Sequence, residues 1–275
     1  MIKKSGRGIS IPNYNICITH PSQYFILSSF SDLNIIQSML KANFKIVDNQ
    51  FYVEWDDLIL NVKCKQELFT MKEVFVFQEY NYIIEKPSVL IDIGFNVGYT
   101  SLFFAKNEMV KKVYAFEPFD ETLEQGKLNL SLNPMLKEKV ILYNYGLSGK
   151  DEERCIWYNF NVKGGIGKLG NDVSKISDSI KKRIILKRFD EVYSEIAKKE
   201  IGNEIILKID CEGDEYEIVK SFHNIQQELL PGVLLIEWHS LGDEEIIKHI
   251  RSFGYHIFSF HVENKRRGNL YCLKK

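Results

Sequence analysis

The stretch Val89-Leu90-Ile91-Asp92-Ile93-Gly94-Phe95-Asn96-Val97-Gly98 decides how the whole sequence is interpreted. Its first five residues form an almost continuous apolar run, which is typical of a parallel strand buried on both faces. Two glycines four residues apart follow, and the residues at 99–107 predict a helix directly after them. A strand that leads through a glycine loop into a helix is the first unit of an open α/β sheet, and such sheets bind ligands at this loop.

Strands and helices alternate along the chain from residue 87 onward, which is typical of a parallel sheet with crossover helices. The pattern predicts further strands at 112–117, 139–145, 204–210 and 232–238, and helices at 120–132, 214–222 and 243–252. Two closing strands, 255–260 and 270–273, predict a hairpin whose last strand is antiparallel. We therefore predict an α/β, Rossmann-like fold over 87–275, with a mostly parallel seven-stranded sheet.

Residues 1–86 and 154–188 do not follow this alternation of strands and helices. Within the first segment, 21–42 predicts an amphipathic helix, 44–63 a hairpin that turns at Asp56-Asp57, and 70–84 a second helix, which together make a small α+β appendage. The second segment predicts a strand pair around the flexible stretch Gly164-Gly165-Ile166-Gly167. Two interpretations of it stay open, a lid over a bound substrate or a plain surface loop.

Composition excludes several classes of protein. The chain has 275 residues and a formal net charge of −1, so no basic excess points to nucleic acid as a partner. Short basic clusters at 181–183 and 265–267 are predicted to be solvated. Five scattered cysteines, never spaced as C-x-x-C, argue against a disulfide framework and favour a reducing compartment. No apolar run approaches the ~18 residues of a membrane helix, so we expect a cytoplasmic protein without a membrane span.

The glycine loop also predicts the cofactor. A dinucleotide site uses G-x-G-x-x-G to wrap a pyrophosphate, whereas Gly94 and Gly98 are four residues apart with Asn96 between them. Asp92 would repel a pyrophosphate but suits the positive groups of S-adenosylmethionine. Glu117 ends the next strand 23 residues after Gly94 and can accept both hydroxyls of a ribose, in this cofactor or in NAD. The glycine spacing favours S-adenosylmethionine.

Two further groups of polar residues follow later strands. Asp210 and Glu212 end the strand at 204–210, where buried carboxylates are unfavourable unless water or a ligand reaches them. Asp210 could hold the amino group of the cofactor, orient the acceptor or ligate a divalent ion. Glu237 and His239 are two residues apart on a strand and so share a face. They could deprotonate a hydroxyl or complete a metal site with Asp210, and a satisfied Glu beside a surface His is the alternative.

In these motifs and their order, the chain resembles the FkbM family of methyltransferases over roughly residues 88–260. The motifs are Val89-Leu90-Ile91-Asp92-Ile93-Gly94-Phe95-Asn96-Val97-Gly98-Tyr99-Thr100, Ala115-Phe116-Glu117-Pro118, Asn144-Tyr145-Gly146-Leu147-Ser148, Arg188-Phe189-Asp190-Glu191-Val192, Lys208-Ile209-Asp210-Cys211-Glu212-Gly213-Asp214-Glu215 and Ile236-Glu237-Trp238-His239. The resemblance implies a class I methyltransferase fold, S-adenosylmethionine as cofactor, and O-methylation of a sugar, glycan or secondary metabolite.

The motifs and the resemblance together assign roles to individual residues. The predicted cofactor-binding residues are Asp92, Gly94, Asn96, Gly98, Glu117, Pro118, Gly146, Asp210 and Glu212. The predicted catalytic residues are Asp210, Glu237 and His239. No metal site is predicted, and a divalent ion is left open. Residues 1–86 lie outside the resemblance, and we expect them to select a small-molecule or glycan acceptor or to mediate homodimerisation. Two other functions stay as alternatives: an NAD-dependent oxidoreductase and a non-catalytic protein that binds a nucleoside.

Overall fold

A seven-stranded sheet lies at the centre of the structure, a computed structural model that describes residues 3–5, 8–170, 172–263 and 267–275. The strands are β1 (Lys3–Ser5), β2 (Gly8–Ile11), β3 (Ile16–Ile18), β4 (Asn43–Val47), β5 (Gln50–Trp55), β6 (Leu58–Val62), β7 (Ser88–Ile93), β8 (Val110–Phe116), β9 (Val140–Tyr143), β10 (Gly146–Ser148), β11 (Glu152–Tyr158), β12 (Ile180–Arg188), β13 (Glu204–Ile209), β14 (Val233–His239), β15 (Tyr255–Glu263) and β16 (Arg267–Lys274). The α-helices are α1 (Phe30–Leu40), α2 (Lys65–Met71), α3 (Tyr99–Ala105), α4 (Asp120–Ser131), α5 (Pro134–Lys137), α6 (Phe189–Lys199), α7 (Glu215–Lys220) and α8 (Glu244–Ser252). Short 3-10 helices lie at Pro12–Tyr14, Pro21–Ser28, Phe160–Gly165, Ser221–Asn224 and Gln227–Leu229, and a π-helix at Lys72–Val76.

The strands of the central sheet follow the order β15-β16-β14-β13-β7-β8-β9. β7 pairs in parallel with both β8 and β13, so the strand order reverses there. β16 lies antiparallel between β14 and β15. The predicted fold, a mostly parallel sheet with an antiparallel last strand, is therefore confirmed. The carboxyl ends of β7 and β13 form the switch point at which open α/β sheets bind ligands.

β7 is buried along its whole length, as its apolar sequence predicts. Leu90 packs into a core on one face of the sheet, whereas Val89, Ile91 and Ile93 pack into the core on the other face. Because alternate residues of a strand point to opposite faces, one apolar run supplies both cores. The core that contains Leu90 also includes Phe51 of β5, so the N-terminal segment packs against that face of the sheet.

The N-terminal segment contains the predicted hairpin. β5 and β6 pair antiparallel on either side of Asp56-Asp57, and β4 adds a third strand. Asp56 has a φ of 45°, a left-handed conformation that Asp tolerates in tight turns. The single helix predicted within 21–42 is instead divided at Ser29 into a 3-10 helix and α1. The sequence pattern did not indicate the strands β1 to β3.

The predicted helix over 70–84 is wrong in its second half. The π-helix that continues α2 ends at Val76, and Gln78 has a φ of 53°, which turns the chain away from the helical path. Tyr80, predicted to be on this helix, lies in the loop that follows and is only 6% exposed. Its hydroxyl donates a hydrogen bond to Glu237 at 2.7 Å. Helical periodicity cannot predict such a contact, because it joins residues that are distant in the sequence.

The segment at 154–188 contains the predicted strand pair, because β11 and β12 are antiparallel neighbours, and β10 pairs in parallel with β12. The helix α6 that follows was not indicated by the sequence motifs, although Phe189, Tyr193 and Ile196 form an apolar stripe in the second core. In the described ranges, none of the helices combines the length and apolar character needed to cross a membrane.

Candidate active site

A cavity opens at the carboxyl ends of β7, β8 and β13, and we call it the strand-end cavity. Most of the predicted cofactor-binding residues line it, namely Gly94, Asn96, Glu117, Pro118, Gly146, Asp210 and Glu212. Gly164 and Ile166, from the segment between β11 and β12, line it as well. The motifs that follow separate strands in the sequence are therefore brought to one place by the parallel sheet.

Gly94 allows the two central strands to meet beneath this cavity. Its φ is 88°, and a Cβ atom at this position would lie 1.8 Å from the backbone oxygen of Asp210. No side chain fits there, because real Cβ contacts of this kind are longer than 3.0 Å. The glycine is needed for the close approach of the β7 and β13 ends, which brings Asp210 beside the glycine loop.

Asp92 and Gly98, two of the predicted cofactor-binding residues, do not line the strand-end cavity. Asp92 is 0% exposed, and it accepts a 2.6 Å hydrogen bond from Ser101 and lies 3.1 Å from the Lys208 ammonium. Its charge is thus satisfied inside the protein, where it anchors α3 and Lys208. Gly98 caps α3 with a φ of 88°, and a Cβ there would be 2.7 Å from the Phe95 ring.

Glu117 is held in a fixed orientation by the backbone. One carboxylate oxygen accepts the N–H of Asn96 at 2.8 Å, and the other accepts the N–H of Phe119 at 3.0 Å. Burial raises the pKa of Glu117 to about 7, although these two hydrogen bonds work in the opposite direction. Each oxygen has a further lone pair, so the carboxylate can accept two more hydroxyl donors from a ligand in the cavity.

A second cavity adjoins the first and shares Gly94, Asn96, Gly164 and Asp210 with it. Its remaining walls come from both parts of the chain: Gln66, Phe69, Thr70, Glu73, Val74, Tyr80, Phe95, Val97, Tyr99, Thr100, Lys208, Glu237 and Arg267. Asp210 is thus the predicted catalytic residue that faces both cavities. Two adjoining cavities with a carboxylate between them suit a reaction between two bound molecules.

Glu237 is ionised by its surroundings. Arg267 forms an ion pair with one carboxylate oxygen, and the Tyr80 hydroxyl donates to the other at 2.7 Å. Burial alone would raise the pKa of Glu237, but the hydrogen bond from His239 and the charge of Arg267 outweigh it and lower the pKa to about 2. Glu237 therefore organises the groups around it and is a weak proton acceptor.

His239 is enclosed by carboxylates and is not a surface residue, since it is only 7% exposed. Its Nδ1 lies 3.2 Å from Glu215, and its Nε2 lies 3.4 Å from Glu237 and 3.6 Å from Glu212. Burial would lower the pKa of His239, but the hydrogen bonds with Glu215 and Glu237 raise it to about 11. The imidazole is consequently a poor general base in this arrangement.

Asp210 has the surroundings of a proton acceptor. Its carboxylate lies 3.4 Å from the Lys208 ammonium and accepts a 3.3 Å hydrogen bond from Tyr80. Burial and the negative charge of Glu237 raise the pKa of Asp210, and these effects oppose the charge of Lys208. Of the three predicted catalytic residues, Asp210 is the one whose position and basicity both suit proton transfer.

Sequence reasoning gave no site role to Tyr80 and Arg267, which line the second cavity and contact its carboxylates. The basic cluster at 265–267 was predicted to be solvated; residues 265 and 266 lie outside the described residues. The Arg267 side chain is 32% exposed and pairs with Glu73 and Glu237. It reaches this position because β16 pairs with β14 in a register that sets Arg267 opposite His239. No local pattern signals either residue, since each acts across the tertiary structure.

The strand order, the glycine loop and the acidic strand ends define a Rossmann-like α/β fold with a cavity at its switch point. Residues 92–257 match the methyltransferase FkbM domain, and the chain belongs to that family. The predicted family is thereby confirmed.

Two further proteins and one solved structure are similar to this chain. Methyltransferase sdnD of Sordaria araneosa is 28% identical over 198 residues, covering 63% of this chain and 76% of the relative. Methyltransferase 1 of Beauveria bassiana is 21% identical over 190 residues, covering 64% of this chain and 75% of the relative. The crystal structure of methyltransferase FkbM from Methylobacillus flagellatus KT has 12% identity and a TM-score of 0.45, covering 94% of this chain and 62% of that one.

Proposed function

We propose that the protein transfers the methyl group of S-adenosylmethionine to a hydroxyl group of a sugar, glycan or secondary metabolite. The observation that carries this proposal is the pair of adjoining cavities with Asp210 between them. The strand-end cavity takes the donor and the second cavity takes the acceptor. Holding the two molecules in near-attack geometry supplies most of the rate enhancement in a displacement of this kind.

The strand-end cavity suits the donor because its charged and polar groups match those of the cofactor. Glu117 accepts the two ribose hydroxyls with the lone pairs that its backbone hydrogen bonds leave free. Asp210 and Glu212 face the positive amino and sulfonium groups, and Pro118 and Gly146 lie against the adenine. Among the cavity residues Asp214 pairs with Arg154 at 2.5 Å, which keeps that carboxylate neutralised.

The proposed reaction is an in-line displacement, in which the acceptor oxygen attacks the methyl carbon on the side opposite to the sulfur. The acceptor oxygen forms a bond to the methyl carbon while the carbon–sulfur bond breaks, and the electron pair of that bond stays on sulfur. Asp210 takes the hydroxyl proton as positive charge develops on the attacking oxygen. Tyr80 and Lys208 keep the Asp210 carboxylate oriented between the two cavities.

The N-terminal segment and the insert complete the acceptor site in this proposal. Phe69, Glu73 and Tyr80 of the first segment line the second cavity, which supports a role in choosing the acceptor. In the insert, Lys163 is buried and forms a 2.5 Å ion pair with Glu67 of the N-terminal segment. This ion pair, which we call the latch, fastens the insert to the N-terminal segment and supports the interpretation of the insert as a lid.

Calorimetric titration with S-adenosylmethionine, S-adenosylhomocysteine and NAD tests the donor. We expect both adenosyl ligands to bind and Glu117→Ala to remove most of the affinity, because the ribose hydroxyls lose their acceptor. Binding of NAD alone would favour the oxidoreductase alternative, and binding of neither class would favour a non-catalytic protein. Release of S-adenosylhomocysteine with a panel of sugars and phenols as acceptors then tests the hydroxyl preference.

A further inference from the structure

We propose that Asp210, Glu212 and His239 form a binding site for one divalent cation at the carboxyl ends of β13 and β14, where Asp210 and Glu212 line the strand-end cavity. Each side chain offers one ligand atom, and these three atoms all lie within 4.8 Å of one another. Ligand atoms at about 2.1–2.3 Å from a six-coordinate cation are themselves roughly 3–4.6 Å apart. The three ligand atoms are therefore nearly as close together as those around a bound cation.

The orientation of His239 is the observation that points beyond a cluster of carboxylates. Glu215, which is 0% exposed, accepts the backbone N–H of His239 at 2.8 Å and lies 3.2 Å from Nδ1. The Nδ1–H therefore donates to Glu215, and Nε2 points at Glu212 and Glu237. A buried carboxylate that holds one imidazole nitrogen, and so aims the other, is the usual support of a metal-binding histidine.

The charges around this imidazole favour the same conclusion. Glu237 is paired with Arg267, and Asp210 lies beside Lys208. Within the described ranges, by contrast, neither Glu212 nor Glu215 lies within 4.0 Å of a Lys or Arg nitrogen. In the metal-free protein a proton on Nε2 lies between the imidazole and Glu237, and a divalent cation that binds here would displace that proton. A divalent cation satisfies both sides at once, because imidazole and carboxylate are both good ligands.

The ligand set and its position indicate which cation binds and what it does. One imidazole nitrogen with two carboxylate oxygens suits Mn²⁺, Fe²⁺ or Zn²⁺ better than Ca²⁺, which prefers oxygen ligands alone. Asp210 lines both cavities, so a cation bound to it would lie beside both substrates, and the cation in place of Asp210 would then assist loss of the hydroxyl proton. A cation there would stabilise negative charge on the attacking oxygen. Its binding can be measured without knowing the acceptor, so it stands apart from the proposed function.

The test is a titration of the full chain with Mn²⁺, followed by electron paramagnetic resonance and calorimetry. We expect one Mn²⁺ per chain, with nitrogen coupling from the imidazole in the pulsed spectrum. His239→Gln and Glu212→Gln should each weaken binding at least about tenfold, and Glu215→Gln should do so by about 10–100-fold through the orientation of His239. The matched controls His256→Gln and Glu244→Gln change exposed residues of the same types and should leave binding unchanged.

Several results would overturn the proposal. The first is no Mn²⁺ binding at millimolar concentration, and the second is bound Mn²⁺ without nitrogen coupling. The third is equal affinity in the two ligand variants and the wild type. If His239→Gln does not fold, the pulsed spectrum of the wild type and the Glu212→Gln variant still decide. A parallel titration with S-adenosylhomocysteine keeps the two proposals separate, since adenosyl binding without Mn²⁺ binding contradicts the cation site alone.

Discussion

Replacement of Lys208 by Met tests whether Asp92 and Lys208 are an internal ion pair that supports the site. Lys208 is 2% exposed, lies 3.1 Å from Asp92, and donates a 2.8 Å hydrogen bond to the backbone oxygen of Gly94. Lys208→Met leaves Asp92 buried without its cation, and the loss of one partner from a buried pair costs about 3–5 kcal/mol. At about 2 °C per kcal/mol for a chain of this size, the thermal midpoint should fall by roughly 6–10 °C.

The assay is urea and thermal unfolding followed by circular dichroism. The matched control is Lys220→Met on α7, where the lysine side chain is 39% exposed and its ammonium pairs with Glu245, so the loss should stay below about 1 kcal/mol. Adding Asp92→Asn to Lys208→Met should restore at least about 1 kcal/mol, because the amide carries no charge yet still accepts from Ser101. A loss below about 1 kcal/mol in Lys208→Met, or no recovery in the double variant, would refute the reasoning.

Three further predictions concern the cavities and the insert. The affinity for S-adenosylhomocysteine should rise as the pH increases through about 7, because ionised Glu117 is the better acceptor for the ribose hydroxyls, and Glu117→Gln should flatten this profile in calorimetry. Glu67→Gln removes the carboxylate that pairs with buried Lys163, so limited proteolysis should cut the insert faster and adenosyl affinity should fall; an unchanged cleavage rate would contradict the latch. Tyr80→Phe deletes a hydrogen bond to the ionised Glu237 and should lower the free energy of unfolding by about 1.5–3 kcal/mol in urea, while a change below about 0.5 kcal/mol would show that this bond contributes little.

Much of the strand-end cavity could be predicted because its residues directly follow strands that can be recognised from the local sequence pattern. The run at 89–93 and the alternation after residue 87 predicted a parallel sheet, and parallel strands bring their carboxyl ends to one edge. Gly94, Glu117 and Asp210 each come directly after such a strand, so their proximity needed no knowledge of side-chain contacts. This prediction required only that the strands and their parallel order be predicted correctly.

The second cavity could not be predicted in the same way, because its residues meet through contacts between distant parts of the chain. Tyr80 reaches Glu237 across 157 residues, from a loop that the sequence pattern assigned to a helix. Helical periodicity shows which face of a segment is apolar, but it does not show where the helix ends. Here the helical path ends because Gln78 adopts a left-handed backbone conformation, which the apolar pattern does not indicate.

The sequence by itself determined the fold class, the family and the edge of the sheet at which the strand-end cavity lies. These depend on strand periodicity, glycine spacing and short motifs, all of which are local. Only the tertiary structure decided that Asp92 is an internal partner of Lys208, that Arg267 neutralises Glu237, and that Glu215 holds the Nδ1 of His239. Whether a charged side chain binds a ligand or another residue depends on register and burial, which the packed strands and loops set together.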